Sequence, residues 1–120
     1  MSYFFDSYAI IEIIKGNKAY LCFKDIEVIT NTLNIAEVYY ALLKEHEKKN
    51  VDEIIKKFNF SFVTISKKIA IDAAKFRFKN KSLKISYADS IGYITALKNK
   101  LNFLTGDEAF KNLKQTKFIK

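Results

Sequence analysis

Apolar positions along the chain alternate between strand-like runs and helix-like spacing, and the changes of period mark out its elements. Tyr3, Phe4 and Phe5 form an aromatic, strand-favouring run. Asp6 and Ser7 follow, and then an apolar stretch from Tyr8 through Ile11, which predicts a helix over residues 8–15 with Ser7 as its cap. Gly16 and Asn17 should stop it, because both accept the left-handed backbone that ends helices. Residues 17–24 read as a second short helix and 26–30 as a β-branched strand, followed by a polar turn of Thr30, Asn31, Thr32 and Asn34. From there the period lengthens. Ile35, Val38, Tyr39, Leu42 and Leu43 fall on one helical face, and the helix runs out through the charged KEHEKKN into solvent.

A short helix over 51–58 and a strand over 60–65 come next. Ser66 caps a helix with Ile69, Ala70, Ala73, Phe76 and Arg77 along one side. After a polar loop at 80–84, nearly every position over 87–97 is apolar or small, which predicts a helix buried on several sides. A strand at 101–105, a short helix at 108–113 and an edge strand at 117–119 complete the chain. Strands separated by helices imply an α/β fold of three layers, with a parallel central sheet of four to five strands and helices on both faces. No linker or repeat interrupts residues 1–120, so they read as a single domain. In such sheets, sites lie beyond the carboxyl ends of the strands.

Composition narrows the chemistry. No run approaches the ~20 apolar residues of a membrane span, and no basic region precedes an apolar leader, so the expectation is a soluble, cytoplasmic protein with no membrane partner. The single Cys22 excludes an internal disulfide, and with the single His46 it excludes a zinc site of His/Cys type. Any metal must be held by oxygen. A net charge of +8, from 21 basic residues against 13 acidic, favours an acidic partner, nucleic acid being the commonest. The plainer reading is a solubilising surface, since 20 of the 21 are Lys. Arg77 reads as a solvated helix residue or an RNA contact, and His46 as solvent-exposed.

Four acids stand out by position. Asp6 follows the first strand and suits a helix cap; Asn34 and Glu37 have capping-box spacing, as do Ser86 and Asp89; Asp107 follows Thr105 and Gly106 and suits a cap before Glu108. Each has a structural explanation alone. Together they would gather at one edge of a parallel sheet, where crowded carboxylates take up protons unless a cation neutralises them. Oxygen ligands without His or Cys select a hard cation, Mg²⁺ or Mn²⁺, which bridges phosphate oxygens and activates water. An acidic pocket on a basic protein fits phosphodiester hydrolysis.

In order and spacing, FFDSYAII, NIAEVYYAL, SYADSIGYITA and FLTGDEAF resemble the four acidic motifs of PIN domains, VapC-type toxins above all, over essentially the whole chain. The resemblance implies the PIN-like form of the α/β fold and cleavage of RNA, tRNA or mRNA, with Mg²⁺ or Mn²⁺. It places metal ligands at Asp6, Glu37, Asp89 and Asp107, with Thr105 supporting the last acid and Ser7 beside the first. It also implies a cognate antitoxin whose tail covers the pocket, and a homodimer. Two positions depart from the pattern. Ala109 stands where some members carry a further acid, and Tyr8 where a small residue is more usual, which would narrow the pocket or stack a base. All four acids are present, which argues against an inactive copy. Competing readings are a solitary RNA-processing PIN nuclease, a non-catalytic RNA-binding or assembly module of the same fold, and a receiver-like scaffold. The last would need an acid pair on the first strand, where this chain offers only Asp6.

Overall fold

The computed structural model describes residues 2–120. Its elements are β1 (Tyr3–Phe5), α1 (Ser7–Ile14), a 3₁₀ segment (Lys18–Phe23), β2 (Val28–Thr30), α2 (Thr32–Leu43) and α3 (Lys48–Lys56), then β3 (Phe60–Phe62), α4 (Lys67–Lys79), α5 (Tyr87–Lys98), β4 (Asn102–Thr105) and β5 (Thr116–Phe118). Short 3₁₀ turns at Lys81–Leu83 and Glu108–Phe110 stand before α5 and after β4. The five strands form one sheet in the order β3-β2-β1-β4-β5, every neighbouring pair parallel. The chain builds outward from β1 to β3 and then returns to the other side of β1 with β4. The order therefore reverses between β1 and β4, the place where a parallel sheet opens a crevice at its carboxyl edge.

Alternation along the strands assigns the layers. Phe4 and Phe103 point to one face, where they join Ile69, Ala73, Tyr93, Ile94 and Phe110 beneath α4 and α5. Phe5 and Leu104 point to the other, with Ala9, Ile10, Val38, Leu42 and Val51 of α1, α2 and α3. Burial on both faces explains why β1 reads as an unbroken apolar run. In α5, Ser90 and every position from Gly92 to Ala96 is buried, as its sequence predicts. Gly92 is the close approach that permits this: a Cβ there would lie 3.3 Å from the Phe4 ring and 3.5 Å from that of Phe103.

Several local expectations are corrected. The cap of α1 is Asp6, whose carboxylate accepts from the Ser7 backbone N–H, and Ser7 itself is the first helical residue. Asn31 caps α2 by accepting from the Asn34 N–H, so the helix starts earlier than the Ile35 periodicity indicates and Glu37 lies too deep in it for a capping box. The polar stretch read as a turn is thus strand end, cap and first turn. Residues 18–23 are a 3₁₀ segment rather than a second α-helix, and Glu108–Phe110 is likewise a single 3₁₀ turn. α2 stops at Leu43 and α3 begins at Lys48, inside the charged segment read as the continuation of α2, and Leu43 is 42% exposed rather than packed in the core. Among the described residues no helix is long and apolar enough to cross a membrane.

Removal of the fully buried Phe103 ring should be costly. Phe103→Ala is expected to lower unfolding stability in urea by about 3–5 kcal/mol, whereas Tyr40→Ala, at a position 66% exposed, should stay within about 0.5 kcal/mol.

Candidate active site

β1 and β4 run parallel with Phe5 opposite Leu104, so both strands end at the same level. The next residue on one chain segment is Asp6, and its backbone N–H donates to the Leu104 carbonyl at 3.0 Å. From β4 the chain passes through Thr105 and Gly106 to Asp107. The Thr105 hydroxyl donates to Asp6 Oδ2 at 2.7 Å and accepts from the Asp107 backbone N–H at 3.1 Å. One buried hydroxyl thus fixes the first acid and the backbone of the last. The Asp107 carboxylate in turn accepts from Ala109 N–H.

The second link runs from α1 to α2. Ser7 Oγ donates to Glu37 Oε1 at 2.7 Å, which orients a side chain on the neighbouring helix. Asn34 Nδ2 and Thr30 Oγ1 both donate to the Phe5 carbonyl, at 3.3 and 2.8 Å, and tie the start of α2 and the end of β2 to the same strand end. Asp89 enters from α5, where Ser86 Oγ accepts its backbone N–H at 3.1 Å. Asp6, Glu37, Asp89 and Asp107 consequently line one pocket of about 520 Å³, together with Ser7, Tyr8 and Gly106. Thr105 is fully buried and supports the pocket from beneath.

Electrostatically the cluster is unfinished. Asp6 is 3% exposed, and burial, followed by the charge of Asp89, pushes its carboxyl up to about 7. The hydrogen bonds from Thr105 and Ser7 oppose that rise, and Glu37 adds to it. Asp89 is also raised, first by desolvation, with Glu37 and Asp107 adding to the effect while Ser86 holds it down. The neighbouring carboxylates thus add to the cost of ionising Asp6 and Asp89, the effect expected of crowded acids. Asp6 uses both oxygens on neutral donors, yet a carboxylate has roughly four lone-pair sites and two remain.

This donor set fits a hard divalent cation. Among the described residues no group of three or more His, Cys, Asp or Glu side chains lies close enough together to hold a metal ion. Mg²⁺ seldom requires such a group, because it keeps several waters and binds through one or two carboxylates with the remainder supplied by substrate phosphate.

Two neighbours of the pocket escaped the reading of the sequence. Glu108 is a further acid at the rim, paired at 3.1 Å with Lys120 Nζ, which also lines the pocket. Adjacent acids in T-G-D-E were the available signal, whereas nothing local indicates that Lys120 returns to the site. The Ser7–Glu37 bond was equally hidden, spanning 30 residues of sequence. Tyr8 lines the pocket and its ring occupies the space over Gly106, where any Cβ would overlap the Tyr8 ring and the Ile119 carbonyl. Arg77 does not line this pocket; its Nε donates to the Ile85 carbonyl at 2.7 Å. His46 is exposed, as expected.

A family model described as PIN domain matches residues 3–115. Among solved structures, a toxin–antitoxin complex from Klebsiella pneumoniae superposes with a TM-score of 0.74 at 20% identity, over 97% of this chain and 96% of that one. VapBC2 from Rickettsia felis, bound to a DNA fragment from their promoter, gives 0.76 at 17% identity over 99% and 98%. A protein from Pyrobaculum aerophilum gives 0.68 at 16% identity over 99% and 88%. At these identities the likeness concerns the fold. No curated protein matches the sequence at a significant level.

The Asp6 shift has a measurable consequence. Its carboxyl titrates near 3.8 when unfolded and near 7 when folded, so between those values the folded chain holds the proton more tightly and loses stability as pH rises. In EDTA the melting temperature should therefore fall from about pH 4 to about pH 7, and Mg²⁺ or Mn²⁺ should restore part of the loss at neutral pH. Asp6→Asn should flatten that slope in EDTA and abolish the response to metal. A steep slope retained by the variant would place the effect elsewhere.

Proposed function

The chain belongs to the PIN-domain family, and on that footing we propose that it is a Mg²⁺- or Mn²⁺-dependent endoribonuclease, the toxin of a VapBC-type toxin–antitoxin pair. PIN domains are generally nucleases. The observation that carries the reading is the meeting of Asp6, Glu37, Asp89 and Asp107, from four separate segments, in one pocket at the β1/β4 switch point. As helix caps alone they would have no reason to share a pocket. Glu37 in particular lies beyond the first turn of α2 and caps nothing.

The four carboxylates are the ligands that would hold the metal, with Asp6 deepest. When bound, the metal supplies neutralisation of phosphate charge and activation of a water for in-line attack. The chain's own residues prepare for this. Ser7 and Thr105 lock the Asp6 carboxylate from both sides, and Ser7 also aims Glu37. Thr105 is therefore a positioning residue: its hydroxyl serves Asp6 and Asp107 and does not reach the pocket surface. The net charge of +8 attracts a polyanion at long range while the acids confine the reacting phosphate to one point. Recognition of an antitoxin rests on the two toxin–antitoxin complexes that share the fold, and the homodimer belongs to the same reading.

Purified protein is expected to cleave RNA in Mg²⁺ or Mn²⁺ and to stop in EDTA. Asp89→Asn and Asp107→Asn should each lower turnover by at least ~100-fold while melting as folded proteins, since even partners behind the ligands of a metal site cost 10–100-fold when removed. Thr105→Val should act more mildly, by about 10–100-fold, through a misplaced Asp6. Cleavage that persists in EDTA and in both Asn variants would refute the mechanism. A neighbouring reading frame whose product neutralises growth arrest caused by this chain would establish the toxin role. Activity without growth arrest would favour a solitary RNA-processing nuclease, and no cleavage with no metal response a binding module.

A further inference from the structure

We propose that the surface between the end of α4 and the start of α5 is a stacking platform for single-stranded RNA that flanks the acidic pocket, an inference that builds on the nuclease reading above. A concavity of about 820 Å³ lies there, lined among others by Arg77, Phe78, Lys81, Lys84, Ile85 and Tyr87. Phe78 is 72% exposed and Tyr87 58% exposed. Each ring carries a cation. The Arg77 guanidinium carbon lies 4.2 Å from the Tyr87 ring centre, and Lys81 Nζ lies 4.1 Å from that of Phe78. Arg77 is fixed by its 2.7 Å bond to the Ile85 carbonyl, so the Arg77–Tyr87 stack is preformed and little side-chain freedom is lost when a base joins it.

The charge of this surface selects its occupant. Residues 73–88 contain Lys75, Arg77, Lys79, Lys81 and Lys84 and no acid. Five like charges oppose docking of a second copy through the same face. They suit a ligand that combines phosphates with flat apolar faces, and a single strand offers both, its bases stacking on aromatic rings or on guanidinium planes. The location fits as well. Ser86 caps α5, Tyr87 opens it, and the pocket acid Asp89 follows in its first turn. Two helical positions apart, Tyr87 and Asp89 point to opposite sides of the helix start. A strand that crosses the end of a helix ~10–12 Å wide touches both. The helix start also presents its partial positive charge to the crossing phosphate.

The test is binding of a fluorescein-labelled, unstructured RNA of about 12 nucleotides, followed by anisotropy in EDTA so that nothing is cleaved. Phe78→Ala with Tyr87→Ala should weaken binding by about five- to a hundredfold for each stacked base lost. Lys81→Ala with Lys84→Ala should reduce the slope of log affinity against log salt by about 1.4, at ~0.7 per phosphate contact. Lys48→Ala with Lys49→Ala on α3, across the sheet, serves as the control for charge loss, and melting curves verify folding. Tyr87→Phe, which keeps the ring, should bind like wild type. If both platform pairs bind no worse than the control, the platform is refuted. If they bind normally but turn a dimeric wild type monomeric in sedimentation, the face is an interface between copies and the proposal falls. Metal-dependent hydrolysis of bis(p-nitrophenyl) phosphate, too small to reach the platform, should be unchanged in the platform variants. Absence of that hydrolysis in wild type, alongside the predicted loss of RNA binding, would sink the nuclease reading and leave the platform standing.

Discussion

The carboxylate of Asp6, buried at the end of the central strand, is the constraint around which this structure is arranged. Its hydrogen bonds come from neutral donors, the Ser7 N–H at 2.9 Å and the Thr105 hydroxyl at 2.7 Å, and its nearest charged influences are other acids. Such a group costs free energy to ionise and gains most from a ligand that brings positive charge. The parallel pairing of β1 with β4 produces the situation, because it ends two strands side by side and places Asp6 beside Thr105. The sheet that supplies the core's regularity also sets the site's electrostatic cost.

Packing maintains that geometry. The rings of Phe4 and Phe103 are stacked at 6.0 Å between the sheet and α5, and Gly92 keeps α5 close enough for Asp89 to enter the pocket. On the opposite face Phe5 and Leu104 hold α1 and α2, which bring Ser7 and Glu37 within hydrogen-bond reach. Interiors are close-packed, so a small shift of either helix layer would be transmitted directly to the carboxylates. Site geometry and core packing are in this sense one property of the molecule.

The surface charge divides along the same lines. Acids concentrate at the pocket, while the end of α4 and the loop after it are wholly basic. Under the function proposed above, a polyanion would be drawn to the basic surface and admitted at the acidic point only in company with cations. That contrast gives direction to binding without requiring any base to be read. Tyr8 adds shape, because its ring fills the space left open by Gly106.

The linear sequence determined the architecture, because the period of apolar residues is a local property: buried parallel strands read as continuous runs, and α5 as a helix with no polar face. It also identified Asp6, Glu37, Asp89 and Asp107 as a set, since each stands at a strand end or near a helix start. Only the tertiary structure decided how they are held. Ser7 reads as the helix cap and Asp6 as the free ligand, yet Asp6 caps α1 and Ser7 reaches across to Glu37. Glu37 reads as half of a capping box, yet Asn31 starts α2 earlier and frees it. Arg77 reads as solvated, yet it is anchored to Ile85 and stacked on Tyr87. In each case a short polar side chain has several partners within reach, separated by about 1 kcal/mol. The choice among them depends on which distant segment the sheet brings alongside, and chain-local spacing carries no record of that.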